Sequence, residues 1–171
     1  SKSNGFRPFD SQDWCIVWSR WTIDGDYDIY GAMVNWDGTI KHSAFGIDTT
    51  SFDSLVPTVT SITDEKAGKR YALTAYQDGQ FGGTHYDIYG IVTEGSTYVD
   101  EANLTVLGGG SSFQYRDQLR PSADSDGCRF AVAFVEEYDT GDLDTLIHTF
   151  HLDASMQLAV TETREALDRD I

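Results

Sequence analysis

Five letters, YDIYG, occur twice in this chain, at residues 27–31 and again at 86–90. An internal repeat constrains a fold more than composition does, because each copy buries its apolar face only against its neighbours. The surrounding landmarks recur with it. The apolar run WCIVW ends at Trp18, ten residues before Asp28, and YALTAY ends at Tyr76, eleven before Asp87. A third run, FAVAF, ends at Phe134, ten residues before Asp144, in a copy that has lost IYG but kept the offset. Pro8, Pro57 and Pro121 precede the three apolar runs, and turns at Asp37-Gly38, Glu94-Gly95 and Asp153-Ala154 follow the three Asp-led runs. The anchor aspartates are 59 and then 57 residues apart.

Each unit reads as four short strands, since its apolar and aromatic runs are brief and bounded by turn residues. In the second unit these are Pro57–Ser61, Tyr71–Tyr76, Asp87–Thr93 and Ala102–Leu107. The first gives Pro8–Asp10, Trp14–Trp18, Asp28–Val34 and His42–Ile47; the third gives Pro121–Asp124, Arg129–Val135, Asp144–His151 and Gln157–Thr161. A proline, which cannot donate to a ladder, suits the start of a strand. Only the tail, TETREALDRDI, reads as a short helix or a frayed end.

Four antiparallel strands in a unit of roughly 50 residues describe a β-propeller blade. The stretch RPSADSDGCRFAVAF resembles the repeats of TolB-like propellers, and DIYG followed by DGT resembles the repeats of secreted bacterial propellers. The resemblance runs from about Pro8 to Thr161 and implies architecture rather than activity. The expected fold is all-β and β-propeller-like, with blades at about 6–48, 55–108 and 119–162 and a tail at 163–171. Propellers need about four to eight blades. Three are therefore expected to close with a second copy of the chain, as a homodimer, or with the remainder of a longer propeller.

Net charge is −16, from 12 basic and 28 acidic residues. That disfavours nucleic acid, whose phosphates need a basic footprint. No run of about 18 apolar residues suggests membrane insertion. The acidity fits a secreted, periplasmic or cell-surface setting; no signal peptide is visible, and the chain opens SKSNG, as a mature fragment or a piece of something longer would. The two cysteines, Cys15 and Cys128, are expected to be buried free thiols, with a disulfide between them as the alternative. His148 and His151 are an odd number apart on a predicted strand and so point to opposite faces, a poor metal pair.

The loops between the second and third strands carry the residues that differ between units. Arg20, Asp78 and Glu136 take equivalent places there, with Trp21, Phe81 and Tyr138 nearby. Together they form a candidate rim that recognises a glycan or a peptide, aromatic rings supplying a platform for a sugar. The expected function is a non-catalytic binding or assembly module. The alternative is a carbohydrate-active hydrolase or lyase using rim carboxylates, which would need a defined separation. No cofactor is implied except calcium, for which Asp24, Asp26 and Asp28 in DGDYD offer alternating oxygen ligands without the full twelve-residue loop pattern.

Overall fold

The computed structural model describes residues 13–64, 66–79, 85–107, 117–139 and 142–167. The short runs fold as hairpins into three antiparallel sheets, each a meander. Sheet 1 holds β1 (Asp13–Trp21), β2 (Tyr27–Asn35) and β3 (Ile40–Asp48). Sheet 2 holds β4 (Ser54–Asp64), β5 (Lys69–Asp78), β6 (Asp87–Glu94) and β7 (Thr97–Asn103), followed by the helical turn α1 (Leu104–Leu107). Sheet 3 holds β8 (Asp117–Ser125), β9 (Phe130–Asp139), β10 (Asp142–Leu152) and β11 (Leu158–Leu167). The strand expected at Pro8–Asp10 lies outside the described residues, as does the 108–113 connection.

The register of the central hairpins is the same in all three sheets. Arg20 pairs with Asp28, Asp78 with Asp87, and Glu136 with Asp144. Two positions further on, Trp18 faces Tyr30, Tyr76 faces Tyr89 and Phe134 faces Leu146. Because cross-strand partners share a face, every sheet has a front, which carries the anchor aspartate and these pairs, and a back.

The sheets stack back to front. On the back of sheet 2, Tyr71, Leu73, Ile88 and Val92 pack against Phe130, Val132, Phe134 and Phe150 on the front of sheet 3. On the back of sheet 1, Ile29 and Ile47 meet Tyr76, Tyr89 and Ile91 on the front of sheet 2. One hydrogen bond recurs at both junctions. The amide of Tyr27 donates to Asp53 Oδ1 at 3.0 Å, and the amide of Tyr86 donates to Asp117 Oδ1 at 3.1 Å. In each case the tyrosine precedes the anchor aspartate and the acceptor leads the chain into the next sheet.

Four sequence expectations are corrected. Pro57 and Pro121 do not begin strands; they sit inside β4 and β8 at register shifts, where a ladder can spare an N–H. The residue before each is left-handed, Val56 at φ 50° and Arg120 at φ 56°. For a β-branched residue that conformation costs about 1–3 kcal/mol. The outer strand of sheet 2 is Thr97–Asn103 rather than Ala102–Leu107, because Asn103 Oδ1 accepts the amide of Val106 at 3.0 Å and caps a helical turn. That turn places Leu104 over Gly90, where an added Cβ would lie 2.8 Å from Leu104 Cδ1. The tail is strand, not helix, through Leu167. Both thiols are free, but Cys128 stands exposed in the turn between β8 and β9 rather than buried.

Candidate functional site: a tryptophan-lined groove

The residues expected to converge on a rim are distributed over three faces. Arg20 is exposed on the front of sheet 1, its guanidinium 5.5 Å from the centroid of the Tyr30 ring. Trp21 is exposed and meets Tyr27 edge-on with ring centroids 5.0 Å apart. Asp78 and Glu136 are only 3% and 5% exposed, on the fronts of sheets 2 and 3. Their register equivalence holds, but it carries them into the stack rather than to a loop tip. Gln118 Nε2 donates to Glu136 Oε1 at 3.4 Å. Phe81 and the side chain of Tyr138 lie outside the described residues.

The aspartates of DGDYD also separate. Asp24 is exposed, Asp26 Oδ1 accepts the hydroxyl of Thr22 at 2.5 Å, and Asp28 is buried, accepting the Tyr30 hydroxyl at 3.4 Å. Among the described residues, no three His, Cys, Asp or Glu side chains are grouped to hold a metal ion. His148 is buried and His151 is not, as their spacing predicts.

The junction of sheets 1 and 2 is rich in acid. On the other face of sheet 1, burial, with Asp26 next in weight, pushes the Asp28 carboxyl up from its ordinary range. At the junction itself, burial likewise raises Glu101 and Asp87, and the Tyr76 phenol is driven well above its ordinary value by burial and then by Asp48.

At the opposite end of the sheets from the 22–26 loop, sheets 1 and 2 part to form a groove of about 570 Å³. Trp14 and Trp36 line it, with Cys15 beside them, Thr60 and Ser61 on the β4 wall, and Arg70 at the start of β5. The local sequence explains the presentation of Trp36. In NWDGT the chain must turn within a few residues, and Gly38 takes φ 84° to allow it. Asp37 Oδ1 accepts both the amide and the hydroxyl of Thr39, at 2.9 and 2.6 Å, and these bonds hold its carboxyl below the usual range. The turn is closed by the Asn35 amide donating to the Thr39 carbonyl at 2.8 Å. A turn fastened in this way holds the indole out, and Trp36 is 72% exposed, with Trp14 at 67%.

The groove continues into a smaller pocket of about 310 Å³, lined by Met33, Lys41, Lys69, Arg70 and Glu94. Three basic side chains thus gather here in a chain with 12 in all. Lys41 pairs with Asp13, and Lys69 pairs with Glu94 at 2.8 Å. Each carboxylate is thereby engaged by a lysine, and burial pushes the Cys15 thiol up, away from the nucleophilic thiolate. The site offers two aromatic faces, hydroxyls and a guanidinium, a set suited to holding a ligand rather than to proton transfer. Trp36 and Arg70 went unnoticed in the sequence; a tryptophan inside a tight Asp-Gly turn was the available signal. The chain matches no protein-family profile, and none of the curated proteins matches it.

Proposed function

We propose that the chain is a non-catalytic binding module of β-propeller type, working at a cell surface or outside the cell, and that its groove takes a neutral glycan. The observation that carries this reading is the pair of exposed tryptophans lining one groove. A sugar ring presents an apolar C–H face that stacks on an indole, while its hydroxyls need donors and acceptors at the edge. Thr60, Ser61 and Arg70 supply those. The volume falls within the roughly 300–1,000 Å³ of small-ligand sites. With a net charge of −16, an anionic polysaccharide would be repelled at long range. The shared hairpin register and the recurring Tyr-to-Asp bond support the blade reading.

Titration with a panel of neutral tetrasaccharides, followed by intrinsic tryptophan fluorescence, tests the groove. A responding sugar is expected to bind about tenfold more weakly to Trp36→Ala, the loss of about 1.4 kcal/mol of stacking. Absence of any response across the panel, or equal affinity of the Trp36→Ala protein, removes the glycan reading.

A further inference from the structure

The two ends of the stack are the two halves of an interface that the molecule already makes twice. The back of sheet 1 seats on the front of sheet 2, and the back of sheet 2 on the front of sheet 3. Among the described residues, no sheet covers the front of sheet 1 at one end or the back of sheet 3 at the other. From the front of sheet 1 project Trp14, Ile16 and Trp18, with Ile16 48% exposed and Trp18 stacked on Tyr30 at 6.3 Å. Trp18 occupies the position that Tyr76 and Phe134 fill where fronts are covered. The back of sheet 3 carries small and aliphatic side chains, Ala131, Ala133, Val135, Thr145 and Ile147, the last 36% exposed. Inside, the front rings Phe130, Phe134 and Phe150 share one cluster with Leu73, Ala75, Ile88 and Val92 on a back, beside Tyr71.

Charge adds a second, independent match. At the anchor-paired position of the front, sheets 2 and 3 have acids, Asp78 and Glu136, but the open front of sheet 1 has Arg20. At the next position along, on the back, sheets 1 and 2 have the uncharged Trp21 and Gly79, but the open back of sheet 3 has Glu137. Among the described residues, the cation takes the one position and the acid the other only on the two faces that no other sheet covers.

We propose that a second copy of this chain covers these faces, the back of sheet 3 of each protomer seated on the front of sheet 1 of the other. Two such contacts related by a two-fold axis join six sheets in a closed ring, within the range of blade numbers that close. Of the groove residues only Trp14 also belongs to this docking face, and closure at six rests on the blade reading. Complementary charge at an interface fixes partner and orientation more than it adds affinity.

Light scattering on a size-exclusion column at micromolar protein should give twice the 19.0 kDa chain mass. Ile16→Asp and Ile147→Asp, both at exposed positions, should each give a monomer with an unchanged far-ultraviolet circular dichroism spectrum. Arg20→Glu and Glu137→Arg should each raise the dimer dissociation constant about tenfold. The double variant should recover it, since each contact then pairs the exchanged charges. A monomer from the unaltered chain overturns the proposal and points to further units on a longer chain. A dimer that survives Ile147→Asp, or singles that the double does not rescue, overturns the front-to-back arrangement. Saccharide titration of the Ile16→Asp monomer reads the groove separately, so failure of assembly and failure of ligand binding are distinguishable.

Discussion

The junction between sheets 2 and 3 and the junction between sheets 1 and 2 use the same geometry with different chemistry. The first buries a cluster of twelve residues, six of them from the strands of sheet 2 and three phenylalanines from sheet 3 among them, and is laced by bonds such as Arg120 amide to Gln77 Oε1 at 2.8 Å and Leu158 amide to Asp100 Oδ2 at 2.7 Å. The second has a buried apolar cluster of only Ile29, Tyr76 and Ile91, surrounded by buried carboxyl groups and opening into the groove. One repeat pattern therefore yields a densely apolar seam and a polar, partly open one. Under the glycan reading proposed above, the open seam is the one a ligand enters.

The largest expected difference is in stability. Phe134→Ala should destabilise the chain by about 3–5 kcal/mol, and Ile29→Ala by about 2 kcal/mol, read by urea denaturation. Amides of β2 should exchange with deuterium before those of β5. Equal costs and equal protection would erase the distinction between the seams. Next come the two glycines of YDIYG. A Cβ on Gly90 meets three atoms of the fully buried Leu104 within 3.0 Å, whereas one on Gly31 meets the ends of Ile47 and Phe45, which are only half-buried. Gly90→Ala should cost about 1–3 kcal/mol and Gly31→Ala less, because the ends of half-buried side chains move aside more readily.

Acid should affect the seams with opposite sign. Burial lowers the pKa of His148, which lies at the sheet 2–3 seam with Nδ1 3.2 Å from the Leu104 carbonyl. The unfolded chain then binds the extra proton, so this contribution is intact above the ordinary 6.5 and is lost as pH falls below it. Asp87 and Glu101, at the sheet 1–2 seam, have raised values, so the folded state holds their protons more tightly. Their contribution is full below the ordinary 3.8 to 4.5 and is lost as pH rises through the elevated native values. Between pH 7.5 and 4.5, exchange protection should fall at β10 and rise at β6; His148→Leu should remove the first trend and Asp87→Asn reduce the second. The smallest effect is kinetic. Cys128 should react with a disulfide reagent at once, and Cys15 slowly, at a rate that follows opening of the sheet 1–2 seam. Simultaneous reaction of both thiols would mean that this seam stands open.

The hairpin register was legible because the anchor offset is a property of sequence spacing, and Arg20, Asp78 and Glu136 do pair with their aspartates. Their burial was not legible, because it depends on which face of a sheet its neighbour covers. ANLTVL read as strand because its apolar residues alternate; the capping amide of Asn103 outweighed that pattern. Val56 and Arg120 hid a bulge, since a residue before proline is ordinarily extended. The groove was invisible for a different reason. Its lining comes from more than one sheet, with Ser125 of sheet 3 beside residues of sheets 1 and 2, and no local pattern reports the gap between them.

The Tyr-to-Asp bond at each junction joins residues 26 and 31 positions apart, always from one sheet to the one that follows it in the chain. Closing a loop of that size costs little more for the last sheet than for the first, because the entropy grows only with the logarithm of its length. A chain assembled in this manner can dock each sheet as soon as its leading aspartate leaves the ribosome, on a sheet already made. Its folding time is then governed by one unit rather than by total length. Lengthening or shortening the array by a whole unit leaves every remaining clasp with the partner it had before.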